Sequence, residues 1–332
     1  MTALTRFADN EITSVENFGD SVIEGFVASR HGSEKTAKTY RNVCRVLISF
    51  FTARGITKPT TADIDAFIND LRGDKERGIP SKSPYTIRLY DTVTKLFFAY
   101  LAKQGKYPDI ATDAAPLKLT KKKTHSKKAL SDAQAKKLLN SVKESKLEDT
   151  AVTRRDRAII ALCLQAGLRT IEVARADVKD LKEDDGFWLL DVQGKGRVAK
   201  DETLKIALPV VNLILSYLEL RGGYNKLKET DAPLFSSTSN HNSKFGCRFS
   251  EQSVGKMIKA RMKAAGIDDK KITAHSTRHY AATAAIESGV DIRDVSSFLR
   301  HSSMVVTTTY LHDIDLKNRR AELAVADKLF SD

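Results

Sequence analysis

Apolar residues recur every three or four positions through most of the first hundred residues. Val15, Phe18, Val22 and Phe26 fall on one face at helical spacing, and Ala37, Tyr40, Cys44, Leu47 and Phe51 repeat the pattern until Gly55 stops it. Ile64, Phe67, Ile68 and Leu71 mark a third helix. A fourth opens at Ser83-Pro84, with proline at the first helical position, runs through Ile87, Val93, Leu96, Phe97 and Leu101, and closes at Gly105. Four amphipathic helices predict a small bundle around one core.

Farther along the pattern changes. Ser131 and Gln134 have the spacing of a capping box opening a helix, and the run from Arg157 to Ala166 predicts another, ended by Gly167. Phe187 to Val192 is apolar and aromatic, Gly194-Lys195-Gly196-Arg197 reads as a turn, and Thr203 to Leu208 alternates before Pro209, so this stretch predicts a β-hairpin. Helices resume over 210–221, 251–265, 276–288 and 291–299. The fold class is therefore mainly α with a small β-hairpin or sheet. A helical domain is expected over 1–112, a connector over 113–128 and a larger α+β domain over 129–332.

The connector is set apart by charge. Between Asp113 and Asp132 there is no acid, but there are six lysines, Lys118, Lys121, Lys122, Lys123, Lys127 and Lys128. Such a run is either a solvated linker or a segment that lies along a phosphate backbone. The whole chain of 332 residues carries a formal net charge of +13, with +8 of it in residues 1–128 and +5 in the rest. That excess fits a polyanionic partner, for which DNA, RNA and an anionic membrane are the usual choices. No run of eighteen apolar residues and no signal-like start is found, so a soluble, cytoplasmic protein is expected. Cys44, Cys163 and Cys247 lack metal or redox spacing and are read as reduced packing residues.

The candidate chemistry lies mostly near the end of the chain. His275 and Arg278 are three apart at a predicted helix start, where backbone N–H groups favour an anion. Arg169 follows a helix-ending glycine, with Glu172 three residues on to orient its guanidinium. Two arginines and two histidines can surround a phosphoryl group, and a phenol beside them offers a nucleophile. Taken singly, each is an ordinary feature: a capping histidine, a surface arginine, a lysine at a hairpin tip, one of nine tyrosines.

Their order is more specific. G-L-R-x-x-E at 167–172, G-K-G at 194–196, H-x-x-R-H from His275, L-x-H-S from Leu299, and Tyr310 nine residues after His301 together resemble the tyrosine recombinase, or phage integrase, family. The resemblance extends over essentially the whole chain. It implies a SAM-like helical core-binding domain and a catalytic domain that together form a C-shaped clamp on DNA. It implies that Arg169 and Arg278 hold the scissile phosphate, that His275 is a general base or hydrogen-bonding group, and that Lys195 protonates the leaving 5′ oxygen. His301 is then the second phosphate-binding histidine, Tyr310 the nucleophile and Glu172 a supporting residue. The implied reaction is site-specific recombination through a 3′-phosphotyrosyl intermediate and a Holliday junction.

Further expectations follow from the family. The partner is double-stranded DNA, with Lys35, Lys38, Arg41, Arg45, Arg88 and Lys95 on helices two and four, and Lys121, Lys122, Lys123, Lys127 and Lys128 of the connector, as contact candidates. Protomers pair on a site and join as tetramers in synapsis, helped by accessory DNA-bending or directionality proteins. The tail bearing Leu316, Leu323, Val325, Leu329 and Phe330 packs on a neighbour or folds back on its own domain. No metal and no cofactor is expected, since neither a carboxylate cluster nor a nucleotide-phosphate loop accompanies the motifs. The biological role is read as mobile-element integration or excision, with Xer-type dimer resolution and an integron role as alternatives. A type IB topoisomerase and an inactive DNA-binding accessory protein are the competing classes. One departure stands out: many members have glycine before the second histidine, where this chain has Arg300. Arginine there requires either a backbone that is not left-handed or accepted strain, and Arg300 is a further candidate for DNA contact.

Overall fold

The computed structural model describes Val15 and residues 18–73, 81–114, 128–142, 150–194, 196–238, 246–300 and Thr307. The chain divides into two compact units, Met1–Lys121 and Lys122–Asp332.

The first unit is the expected helical bundle: α1 (Asp20–Ala28), α2 (Glu34–Ala53), α3 (Thr61–Leu71) and α4 (Pro84–Lys103). Their starts are set by short polar side chains. Ser33 Oγ accepts from the Thr36 amide and Ser83 Oγ from the Thr86 amide, and Pro84 occupies the first turn of α4, where its missing N–H costs nothing. The core is aromatic. Phe26, Phe51, Phe67, Phe97 and Phe98 are buried, and Phe18 meets Phe97, Phe98 and Tyr107 edge-on, as the ring quadrupoles favour. Ala111 and Ala114 extend this core past residue 112.

The second unit contains α5 (Asp132–Ser141), α6 (Ala151–Ala166), α7 (Thr170–Arg175), a 3₁₀ turn at Val178–Asp180, and strands β1 (Leu181–Asp184), β2 (Phe187–Val192) and β3 (Glu202–Ile206). These are followed by α8 (Leu208–Glu219), α9 (Tyr224–Leu227), α10 (Glu251–Ala264), α11 (His275–Glu287) and α12 (Ile292–Phe298). The predicted capping box is reciprocal: the Gln134 amide donates to Ser131 Oγ and the Ser131 amide to Gln134 Oε1. Helix α6 is the central element, packed against α8 and α11, with Ala158, Ile159, Ile160 and Leu162 fully enclosed.

Three differences from the sequence pattern have physical causes. The sheet has three antiparallel strands in the order β1-β2-β3 rather than two, because the polar strand β1, of which only Leu181 is buried, pairs with β2 from Leu181 opposite Leu190 to Asp184 opposite Phe187. Helix α6 starts six residues before Arg157, because Arg155 and Asp156, which break the apolar pattern, are buried there as an ion network with Arg261. The segment after Arg169 is the short helix α7 rather than a plain turn. Of the cysteines, Cys44 and Cys163 are core residues whose thiols burial pushes up to about 12, so both stay protonated. Cys247 is exposed, correcting its reading as a packing residue: it sits in the loop that bridges Ser236 to Arg248.

A candidate active site at the junction of α6, α7, α11 and α12

Helix α6 ends at Gly167, which adopts φ +58, the left-handed conformation that glycine takes without steric cost. A Cβ there would lie 3.0 Å from Leu299 Cδ2 and 3.4 Å from Ala281 Cβ, so glycine is also what lets α11 and α12 approach. Two residues later Arg169 is the N-cap of α7. Its amide donates to Glu172 Oε2 (2.9 Å) and its Nη1 to Glu172 Oε1 (2.7 Å). Glu172 thus pairs directly with Arg169.

Arg278 comes from the first turn of α11 and is 1% exposed. Its Nη1 donates to Gly167 O (2.6 Å) and its Nη2 to Leu299 O. Arg169 Nη2 donates to the next carbonyl, Arg300 O (3.4 Å). Arginines 109 residues apart in sequence are therefore held on adjacent peptide groups of one short stretch of backbone, the one that leads into His301. His275 is the first residue of α11, exposed, with its ring edge-on to His279 at 4.9 Å between centroids. The pair expected on one helix face is split by depth: the histidine reaches solvent while the arginine is enclosed.

Arg300 is left-handed, with φ +54. The strained alternative is thus the one realised, and the side chain is turned inward onto Glu172. It is 3% exposed and pairs with the fully buried Glu172 through Nη2 to Oε2 (2.8 Å), while Nη1 donates to Phe298 O (2.8 Å). Burial pushes the Glu172 carboxyl up, but the Arg300 charge, the Arg169 amide and bonds from both guanidiniums outweigh it and hold the group below the ordinary carboxylate value. The role of Arg300 was not legible from its type; its only signal was an arginine at a slot that favours glycine.

Lys195, His301 and Tyr310 lie outside the described residues, as do Lys121, Lys122, Lys123, Lys127 and the tail from Leu316 to Phe330. The base of the loop carrying Lys195 is described and is tied down on both sides. Arg175 Nη1 donates to Gly194 O (3.2 Å), and Lys200 Nζ bonds the carboxylates of Asp177 and Asp180. Among the proposed DNA contacts, Lys35, Lys38, Arg45 and Arg88 are exposed. Arg41 is paired with Glu24 (2.7 Å) and Glu34 (3.0 Å), Arg45 with Asp20 (3.0 Å) and Lys95 with Asp91 (3.3 Å). Lys128 pairs with Asp269 (3.4 Å) and its amide bonds Lys271 O, which attaches it to the second unit. Tyr85, 81% exposed on the first turn of α4, was not singled out from the sequence and stands one turn from Arg88.

Arg169, braced by the Glu172 carboxylate, and Arg278, bonded to backbone carbonyls, thus meet at the end of α6, with His275 at the start of α11. Residues 128–316 match the phage integrase family, and the chain belongs to it. The matched span runs from Lys128 past Tyr310, and the protein is a tyrosine recombinase, an enzyme of site-specific recombination. Its relatives include tyrosine recombinase XerA of Pyrococcus furiosus, 29% identical over 289 residues, 87% of this chain and 88% of that one. Tyrosine recombinase XerD of Listeria innocua is 27% identical over 90% of this chain and 94% of its own. The fold is that of the XerH recombinase bound to palindromic difH (TM-score 0.66, 18% identity, 93% of this chain and 84% of that one). It is also that of a lambda integrase dimer on a COC′ core site (TM-score 0.61, 17% identity, 90% and 95%). No helix of the described residues is long and apolar enough to cross a membrane.

Proposed function

We propose that this recombinase cuts and rejoins double-stranded DNA through Tyr310. The phenol gives its proton to His275 as its oxygen attacks the scissile phosphorus, the bond to the 5′ oxygen breaks, and Lys195 donates a proton to that oxygen, leaving a 3′-phosphotyrosyl link and a free 5′-hydroxyl. A 5′-hydroxyl from a second strand reverses the step and completes exchange through a Holliday junction. Charge builds on the non-bridging oxygens in the transition state, where Arg169, Arg278, His275 and His301 meet it. A phenol has an unperturbed pKa near 10, so the same cationic surroundings favour its deprotonation. The observation that carries this reading is the placing of Arg169 and Arg278 on consecutive carbonyls, with Glu172 bracing the first. Because preorganised donors cost no reorganisation at the moment of reaction, a pair fixed in this way suits a phosphate clamp.

The solved structures of similar fold hold XerH on a difH substrate and lambda integrase as a dimer on a core site and a tetramer on a Holliday junction. By analogy, this chain pairs on its site and forms tetramers in synapsis, with the exposed cations of α2 and α4 and the lysine-rich connector on the DNA backbone. Accessory DNA-bending or directionality proteins set the outcome. The biological role is integration or excision of a mobile element. Xer-type resolution of dimers is the second reading, favoured by XerA and XerD relatives that match along nearly their full length.

The test uses a random-sequence pool of nicked duplexes in EDTA. The protein is expected to capture a subset as SDS-resistant adducts, and Tyr310→Phe to bind the same subset without any adduct. Adducts formed equally by Tyr310→Phe, or their absence from the parent protein, would overturn the mechanism.

A further inference from the structure

Arg300 occupies a position whose backbone, at φ +54, glycine would adopt without strain. A buried, left-handed arginine persists only when its surroundings hold it, and such residues cluster where geometry matters. Its guanidinium is held by three acceptors: Phe298 O (2.8 Å), Glu172 Oε2 (2.8 Å) and, more distantly, Gly167 O (3.5 Å). All three belong to the frame of the arginine pair. Gly167 O also receives Arg278, Glu172 also receives Arg169, and Phe298 closes the helix that leads to Leu299 O. The carbonyl of Arg300 itself receives Arg169 Nη2.

We infer that Arg300 is a positioning residue for DNA cleavage, which fixes the Glu172 carboxylate from one side so that Arg169, gripped from the other, keeps a single orientation toward the phosphate. Glu172 is fully buried, whereas the Arg169 side chain is 24% exposed. Arg300, at 3%, is the enclosed counter-charge of the pair and needs no contact with DNA to act. With glycine at 300 the turn would relax, but the carboxylate would be held by Arg169 alone and could move with it. The inference rests on the proposed role of Arg169 as a phosphate clamp.

The test compares the parent with Arg300→Gly, Arg300→Lys and Arg169→Ala, using duplexes captured by the parent from the random pool. Arg300→Gly is expected to keep parental DNA affinity while its single-turnover cleavage rate falls about ten- to a hundredfold, the scale of a misplaced catalytic group. Arg300→Lys, which keeps the charge but not the fork, is expected to lie between the two. Arg300→Gly cleaving at the parental rate, with Arg169→Ala inactive, would overturn the role of Arg300 alone. Arg169→Ala at the parental rate would instead sink the clamp on which it rests. If Arg300→Gly does not fold, Arg300→Lys decides: slower cleavage at unchanged affinity supports the inference, and parental cleavage overturns it.

Discussion

Glu172 is the residue on which the described part of the pocket turns, because it is the carboxylate that both Arg169 and Arg300 grip. Replacing it with glutamine leaves a buried guanidinium without its counter-charge, and Glu172→Gln is expected to lower stability by about 3–5 kcal/mol at neutral pH, read by urea unfolding. The sign of the pH dependence follows from its depressed pKa. The folded carboxyl binds a proton less readily than the unfolded one, so its contribution is complete above the ordinary value of 4.5 and is lost as pH falls through the lower folded value. The gap between parent and Glu172→Gln should therefore shrink as pH is stepped down below 4.5. Arg278→Ala, at a residue proposed to hold the scissile phosphate, is expected to slow cleavage about 10²- to 10³-fold, the usual effect of removing one fixed donor, in the single-turnover assay. The pairing of Arg169 with Glu172 could be foreseen, since i and i+3 residues meet at a helix start. Arg300 reaching the same carboxylate across 128 residues could not, because no local pattern encodes that contact.

At the scale of elements, Gly167 shows how one position serves both backbone and packing. Gly167→Ala would place a methyl group 3.0 Å from Leu299 Cδ2 at a left-handed φ, and a loss of about 1–3 kcal/mol in urea stability is expected, with slower cleavage because the Gly167 carbonyl anchors Arg278. Ser131→Ala, which removes one half of the α5 capping box, is expected to cost about 1 kcal/mol in urea stability. The helices of the first unit could be read closely from periodicity because each buries one continuous apolar stripe. Strand β1 could not, since most of its side chains are exposed and only its backbone pairing with β2 defines it. The early turns of α6 were hidden for the opposite reason: Arg155 and Asp156 look like surface residues and are enclosed.

At the scale of the whole molecule, the charge of +13 and its concentration toward the first 128 residues are physical statements about partners rather than about fold. Site affinity is expected to fall steeply and log-linearly with salt, with a slope that becomes shallower by about one unit for each phosphate-contacting cation removed, Arg88→Ala being the first to try in a filter-binding titration. Tyr310 is proposed to become covalently joined to a DNA strand in a pocket that holds Arg169 and Arg278. The most direct measurement is mass spectrometry of the nuclease- and protease-digested adduct. A single modified peptide carrying a nucleotide through its 3′-phosphate on Tyr310 is expected. A link to any other residue, or through a 5′-phosphate, would contradict it.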